Sequence, residues 1–177
     1  MTPAAMVFAA GFGKRMGALT RNLPKPMVPL CGQPMIDRAI QALRDHGVKR
    51  IVVNTHYLPH LIQPHLDRKD VTSIFEPEIL ETGGGLKNAL PVLKTDPVIT
   101  INSDAVFIGP NPLEELEAAW DPALDGCLLL VPDTRPESDF DLVGGRLRRK
   151  GGYRYTGLQV IRTHRLGEID RLAFSLN

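Results

Sequence analysis

Unbroken apolar runs alternate along this chain with stretches whose apolar positions recur every three or four residues. The runs at residues 5–10, 50–54, 71–75 and 97–102 predict strands; the β-branched Arg50-Ile51-Val52-Val53-Asn54 reads as buried on both faces. Met35, Ile36, Ala39, Ile40 and Leu43 share one helical face, which Pro34 opens and Gly47 stops. Leu58, Leu61, Ile62 and Leu66 predict a second helix. Leu86, Ala89, Leu90 and Leu93 predict a third, broken by Asp96-Pro97. A short amphipathic helix at 112–120 and a strand at 126–131 come next. Such alternation implies an α/β fold with a mainly parallel sheet covered by helices.

The pattern changes after about residue 132. Residues 140–143, 146–149 and 153–161 read as short strands joined by Gly144-Gly145 and Gly151-Gly152. That is hairpin chemistry, an antiparallel excursion from the main sheet. Leu166, Ile169, Leu172, Ala173 and Leu176 then repeat with a helical period, and no terminator comes after Leu176-Asn177. The expectation is a helical tail in a single domain, residues 1–177, that lacks a C-terminal segment.

Composition narrows the classes. A chain of 177 residues suits one domain, and 43% hydrophobic with 23% charged residues is ordinary for a globular protein. A net charge of +1 gives no overall case for nucleic acid or membrane binding, so an anion site must be a local cluster of cations. Two distant cysteines, Cys31 and Cys127, read as reduced thiols. The basic residues come after the first apolar run, the reverse of a secretory signal, and no run approaches the roughly 18–20 apolar residues of a membrane span. A cytoplasmic location is expected. Oligomeric state is not legible.

The first strand runs into a loop with Gly11 and Gly13, then Lys14 and Arg15, then Lys25 between Pro24 and Pro26. Glycines let backbone N–H groups approach an anion, and the cations supply opposite charge. The loop is no dinucleotide fingerprint, because Met16 stands where a third glycine belongs. No Gly-Lys-Ser/Thr makes it a P-loop. It is a loop suited to a triphosphate. The rigid flanks of Lys25 lower the entropic cost of aiming it.

Asn102-Ser103-Asp104 ends an apolar strand, where ligands of open α/β sheets bind. Asp104 there suits Mg²⁺, although an Asp at a turn or helix cap is equally common. Gly83, Gly84 and Gly85 start a helix at a cost in helix stability. They suggest either a floor for a flat ring or a flexible turn. Glu76, Glu78 and Glu81 read as solvated charges that are able to meet a base edge. Asp139, Asp141 and Gly157 suit sugar hydroxyls or a plain hairpin. The five histidines have no convincing metal spacing and are kept as structural.

In order, Phe8-Ala9-Ala10-Gly11-Phe12-Gly13-Lys14-Arg15-Met16, Pro24-Lys25-Pro26-Met27, Gly32-Gln33-Pro34-Met35-Ile36, Glu81-Thr82-Gly83-Gly84-Gly85 and Asn102-Ser103-Asp104 resemble the sugar-1-phosphate nucleotidyltransferases. Within that family the chain resembles N-acetylmuramate-1-phosphate uridylyltransferases and mannose-1-phosphate guanylyltransferase-like proteins. The resemblance implies a Rossmann-like three-layer sandwich, the nucleotide-diphospho-sugar transferase fold. It implies Mg²⁺-dependent transfer of a nucleoside monophosphate from a nucleoside triphosphate to a sugar 1-phosphate. UTP with N-acetylmuramate 1-phosphate or a related hexose 1-phosphate is the expected pair.

By the same resemblance, Arg15, Lys25 and Asp104 are the catalytic residues, with Asp104 on the metal. Ala9, Ala10, Gly11, Gly13, Lys14 and the Gly83, Gly84, Gly85 segment meet the nucleotide. Asp139 and Gly157 meet the sugar. The family's second metal carboxylate, carried on a C-terminal turn, is not found here, so impaired turnover is expected of these 177 residues. A nucleotide sensor and transfer to a non-sugar phosphate are the alternatives.

Overall fold

The structure is a computed structural model that describes residues 4–135 and 138–176. Residues 1–3, and Asn177 at the end of the expected helical tail, lie outside the described residues.

The first strand, β1 (Ala5–Phe8), leads into a long loop that holds two 3₁₀ turns, Lys14–Thr20 and Lys25–Met27. A two-residue ladder, β2 (Pro29–Leu30) with β3 (Gln33–Pro34), precedes α1 (Met35–Asp45). Then come β4 (Ile51–Thr55), α2 (Pro59–Asp67), β5 (Thr72–Phe75), α3 (Glu81–Leu93), β6 (Val98–Asn102) and α4 (Pro112–Ala119). The last strands are β7 (Gly126–Pro132), β8 (Ser138–Val143), β9 (Arg146–Gly151) and β10 (Tyr153–Ile161).

One mixed sheet holds eight of these strands in the order β5-β4-β1-β6-β10-β8-β9, with β7 also on β10. The first four in that order are parallel. β10 joins β6 antiparallel, and the β8–β9 hairpin is the expected antiparallel excursion. β10 pairs with β6, β7 and β8, and its register with β7 shifts between Tyr155 and Gln159.

The helices split across the sheet. Ile36, Ile40 and Leu43 of α1, Ile62 and Leu66 of α2, and Leu113 and Leu116 of α4 pack on one face, against Val7, Val53 and Ile101. Leu86, Ala89 and Leu93 of α3 pack on the other, against Met6, Val52 and Val98. Burying each such side chain is worth about 1.5–3 kcal/mol. Asp37 of α1 is buried and accepts from His65 at 2.6 Å, with Lys69 at 3.0 Å, tying α1 to α2. Burial alone would raise its carboxyl, but these two partners hold it below the ordinary range.

The tail departs from its helical period. Only Leu166–Glu168 forms a 3₁₀ turn, and the described residues beyond it are irregular. The reason lies in α3, whose N-terminus has no side-chain cap. The N–H groups of Gly83 and Gly84 donate to the Phe174 carbonyl at 2.8 and 3.1 Å. Phe174 N–H donates to the Leu80 carbonyl at 3.2 Å, and Leu176 N–H to the Thr82 hydroxyl at 2.9 Å. The tail's backbone therefore satisfies the orphan donors of another helix instead of its own turns. Ile169, Phe174 and Leu176 close the apolar cluster on that face.

Candidate active site

The parallel strands place two loops side by side. The chain leaves β1 toward β4 on one side and reaches β6 on the other, so the carboxyl ends of β1 and β6 flank the point where strand order reverses. Open α/β sheets bind ligands at such a point. A cleft of about 340 Å³ lies there. Its walls come from Ala9, Ala10, Gly11 and Arg15 after β1, from Lys25 and Pro26, and from Asn102, Ser103 and Asp104 after β6. Ser103 N–H donates to the Phe8 carbonyl at 3.1 Å, which holds the two loop starts together. A second hollow of about 210 Å³ joins it, lined by Gly11, Gly13, Lys14, Arg15, Met16 and Lys25.

Lys25 sits at the first turn of its 3₁₀ segment, between Pro24 and Pro26. Its ammonium donates to Asp104 Oδ2, bridging the two loops across the cleft. Gly13 makes this approach possible. Its φ of +67° is the left-handed region, and a Cβ there would stand 2.8 Å from Lys25 Cβ. Thr20 Oγ1 and Met16 N–H both donate to the Gly13 carbonyl, at 3.0 and 2.9 Å. Gly11 has open space where a Cβ would be. The Lys14 ammonium lies 5.1 Å from the Phe12 ring centroid, and Phe12 makes edge contacts with His56 and Tyr57. Arg15 and Lys25 thus meet in one cleft with Asp104, and Lys14 borders the adjoining hollow.

The three glycines of α3 are a correction to the floor expected of them. Gly83, Gly84 and Gly85 are buried, and the cleft wall at this end is Ile79, Glu81 and Thr82. A Cβ on Gly83 would meet the Phe174 ring at 2.2 Å, and one on Gly84 the Leu172 carbonyl at 2.1 Å. One on Gly85 would meet Glu76 Oε1 at 2.8 Å and Asn54 Nδ2 at 2.9 Å. These glycines are small because protein packs on them.

Glu76 is a second correction. It is 1% exposed, far from a solvated charge. Burial pushes its carboxyl above the ordinary range, against hydrogen bonds from Asn54 and the Leu80 N–H. The expected sugar residues, Asp139 and Gly157, are not among the residues that line the cleft. The Asp139 carboxylate accepts from the Tyr155 N–H at 2.9 Å, bracing β8 on β10 outside the cleft wall. Gly157, with φ +87°, lies in the stretch where the β7–β10 register shifts. A Cβ there would stand 2.5 Å from Asn102 Nδ2, so the space belongs to a cleft-wall side chain. Four histidines have structural partners: His46 faces Glu117, His56 bonds the Glu76 carbonyl, His65 bonds Asp37 and His164 lies 4.0 Å from Asp96.

Sequence reasoning missed Asn54. It is a buried amide near the end of an otherwise apolar run, and that polarity inside a two-faced strand was the available signal. Among the described residues no group of three His, Cys, Asp or Glu side chains forms a metal cage. Asp104 alone suits a cation completed by phosphate oxygens and water, as Mg²⁺ prefers. No helix among the described residues is long and apolar enough to cross a membrane.

Comparison with known proteins agrees with this fold. The chain is 38% identical over 141 residues to the N-acetylmuramate alpha-1-phosphate uridylyltransferase of Caulobacter vibrioides, covering 73% of this chain and 58% of that protein. It is 36% identical over 109 residues to mannose-1-phosphate guanyltransferase 2 of Candida glabrata, covering 57% of this chain and 30% of that one. The chain thus spans under two thirds of the length of these curated relatives. The inositol-1-phosphate CTP transferase of T. maritima shares the fold, with a TM-score of 0.83 at 18% identity over 99% of this chain and 78% of that one. Residues 5–164, which carry both the Lys25 loop and Asp104, match one family throughout, and the chain belongs to the MobA-like NTP transferase domain family.

Proposed function

We propose that this chain is the nucleotide-binding and catalytic part of a sugar-1-phosphate nucleotidyltransferase. The observation that carries the reading is the Lys25–Asp104 bridge across the cleft, between the glycine loop and the end of β6. It sets a cation on a flexible stem and a hard-cation ligand at one reacting centre. The two relatives, named for uridylyl and guanyl transfer to sugar 1-phosphates, support the reaction class. UTP with N-acetylmuramate 1-phosphate, or a related hexose 1-phosphate, is the proposed pair.

The triphosphate lies along the loop after β1. Ala10, Gly11 and Gly13 offer backbone to the phosphates, and Arg15, with Lys14 beside it, neutralises the β- and γ-phosphates. Ala9 borders the nucleoside. A phosphate oxygen of the sugar phosphate attacks the α-phosphorus. The bond from that phosphorus to the bridging oxygen breaks, and pyrophosphate leaves with the electron pair. The nucleophile is already anionic, so no side chain has to remove a proton. Lys25 swings from Asp104 to the α-phosphate and stabilises charge as it builds. Asp104 would hold Mg²⁺, which when bound adds charge neutralisation on the phosphates. The free thiols Cys31 and Cys127 are in keeping with a reducing cytoplasm.

The test has two stages. A thermal-shift panel of UTP, GTP, CTP and dTTP with Mg²⁺ identifies the base, since a ligand of the native state raises its stability. Pyrophosphate release by a full-length chain with candidate sugar phosphates then reads turnover. Lys25→Ala and Asp104→Ala are each expected to lower kcat about 10²–10³-fold. Full activity in both variants overturns the mechanism. Tight UTP binding with no pyrophosphate release under any condition favours a nucleotide sensor.

A further inference from the structure

Behind the nucleoside end of the cleft lies a chain of buried polar contacts that the proposed reaction does not use. β1 ends at Phe8, so the Ala9 N–H is the first amide of the phosphate loop beyond the strand. It donates to a side chain of the neighbouring strand, Asn54 Oδ1, at 2.8 Å. Asn54 Nδ2 donates in turn to Glu76 Oε1 at 2.9 Å. Glu76 Oε2 accepts from the Leu80 N–H at 3.4 Å, and the Glu76 carbonyl bonds His56 Nδ1 at 2.8 Å. Asn54 is 3% exposed and Glu76 1% exposed, yet Asn54 still borders the cleft.

The chemistry of the two ends leaves Asn54 one orientation. An amide N–H needs an acceptor, and a carboxylate needs a donor. A flipped carboxamide would set Nδ2 against the Ala9 N–H and Oδ1 against Glu76, losing both bonds at a buried site. Gly85 keeps the room for this pair, because a Cβ there would crowd Glu76 Oε1 and Asn54 Nδ2 together.

We propose that Glu76 is a positioning residue for nucleotide binding, acting through Asn54 to hold the Ala9 amide at the mouth of the phosphate loop. The proposal rests on the nucleotide-binding reading of the cleft. It assigns Glu76 no contact with substrate. It explains a buried carboxylate kept in place against its desolvation, at a site where an apolar residue would be easier to bury. It also explains why the third glycine of α3 has no side chain.

The 177-residue chain is titrated with UTP and Mg²⁺ by calorimetry, and its backbone amides are followed by ¹⁵N NMR. Glu76→Leu removes the acceptor. UTP affinity is expected to fall about tenfold, the value of one buried hydrogen bond. The Ala9 amide resonance is expected to shift even without nucleotide. Glu76→Gln keeps an oxygen for Asn54 Nδ2 and is expected to bind within about twofold of the parent. Asn54→Ala is expected to cost about tenfold alone and almost nothing further in the Glu76→Leu background.

Additive losses, an unmoved Ala9 resonance in Glu76→Leu, or a Glu76→Gln defect as large as Glu76→Leu each overturns the proposal. So does a Glu76→Leu protein that melts lower yet binds UTP as before. If Glu76→Leu does not fold, Asn54→Ala decides: unchanged affinity and an unmoved Ala9 amide overturn the relay. If the parent binds no triphosphate, the reading of the cleft fails, and the Ala9 resonance still judges the relay separately.

Discussion

The chain has two glycine-rich segments, and they use glycine in opposite ways. After β1, Gly11 faces open space, while Gly13 takes a left-handed φ and lets Lys25 come close. At the start of α3, Gly83, Gly84 and Gly85 are buried under Phe174, Leu172, Glu76 and Asn54. One segment is bare where it meets open space and the Lys25 side chain. The other is bare so that the protein can pack on itself. Glycine content marks a close approach, and only the neighbours say whose approach it is.

Substitution in each segment tests this contrast, and the largest effect belongs to the packed one. In Gly84→Ala the new Cβ would stand 2.1 Å from the Leu172 carbonyl, a backbone atom, so the tail must lift from α3. The expected loss is about 1–3 kcal/mol, a fall in Tm of roughly 2–12 °C by calorimetry. UTP affinity should change far less. A Tm that holds while UTP binding collapses would make Gly84 part of the floor after all.

Gly13→Ala acts in reverse. A non-glycine residue at φ +67° is strained by roughly 1 kcal/mol, and its Cβ pushes on Lys25 Cβ. The expected result is about a tenfold weaker UTP affinity, or about 1.4 kcal/mol, with Tm lowered by only a few degrees. Unchanged affinity in the titration would detach Gly13 from the site.

The smallest effect is a pH slope. The Glu76 carboxyl is raised above its ordinary 4.5, first by burial, so the folded chain holds its proton more tightly than the unfolded one. That contributes stability below pH 4.5, lost as pH climbs through the raised folded value. Glu76→Gln removes the titration. Its stability should vary less than the parent's as pH rises above 4.5, as read from urea midpoints. Equal slopes in the two proteins would mean that Glu76 does not titrate in that window.

Much of the site was legible because it depends on local chemistry. Pro24-Lys25-Pro26 marks an aimed cation, and Asp104 comes after an apolar strand whose carboxyl end must face the cleft. Other parts depend on partners distant in sequence. Nothing near Leu166 or Leu176 says that the tail's backbone will cap α3 about 90 residues away, because that helix's bare N-terminus is a tertiary circumstance. Asn54 and Glu76 look like ordinary polar residues until β4, β5 and α3 close around them.

The elements and their class were written in the chain's order of residues. Apolar periodicity depends on near neighbours, so it set the order of strands and helices, the hairpin and the cation loop. It also fixed which strand ends carry the charged groups. Assembly in three dimensions decided which glycines face open space and which face protein, that Lys25 meets Asp104, and that a buried carboxylate stands behind the Ala9 amide. Those outcomes turn on van der Waals contact and hydrogen bonding between residues up to about 90 positions apart. Such distances close only when the sheet and its helices are packed together.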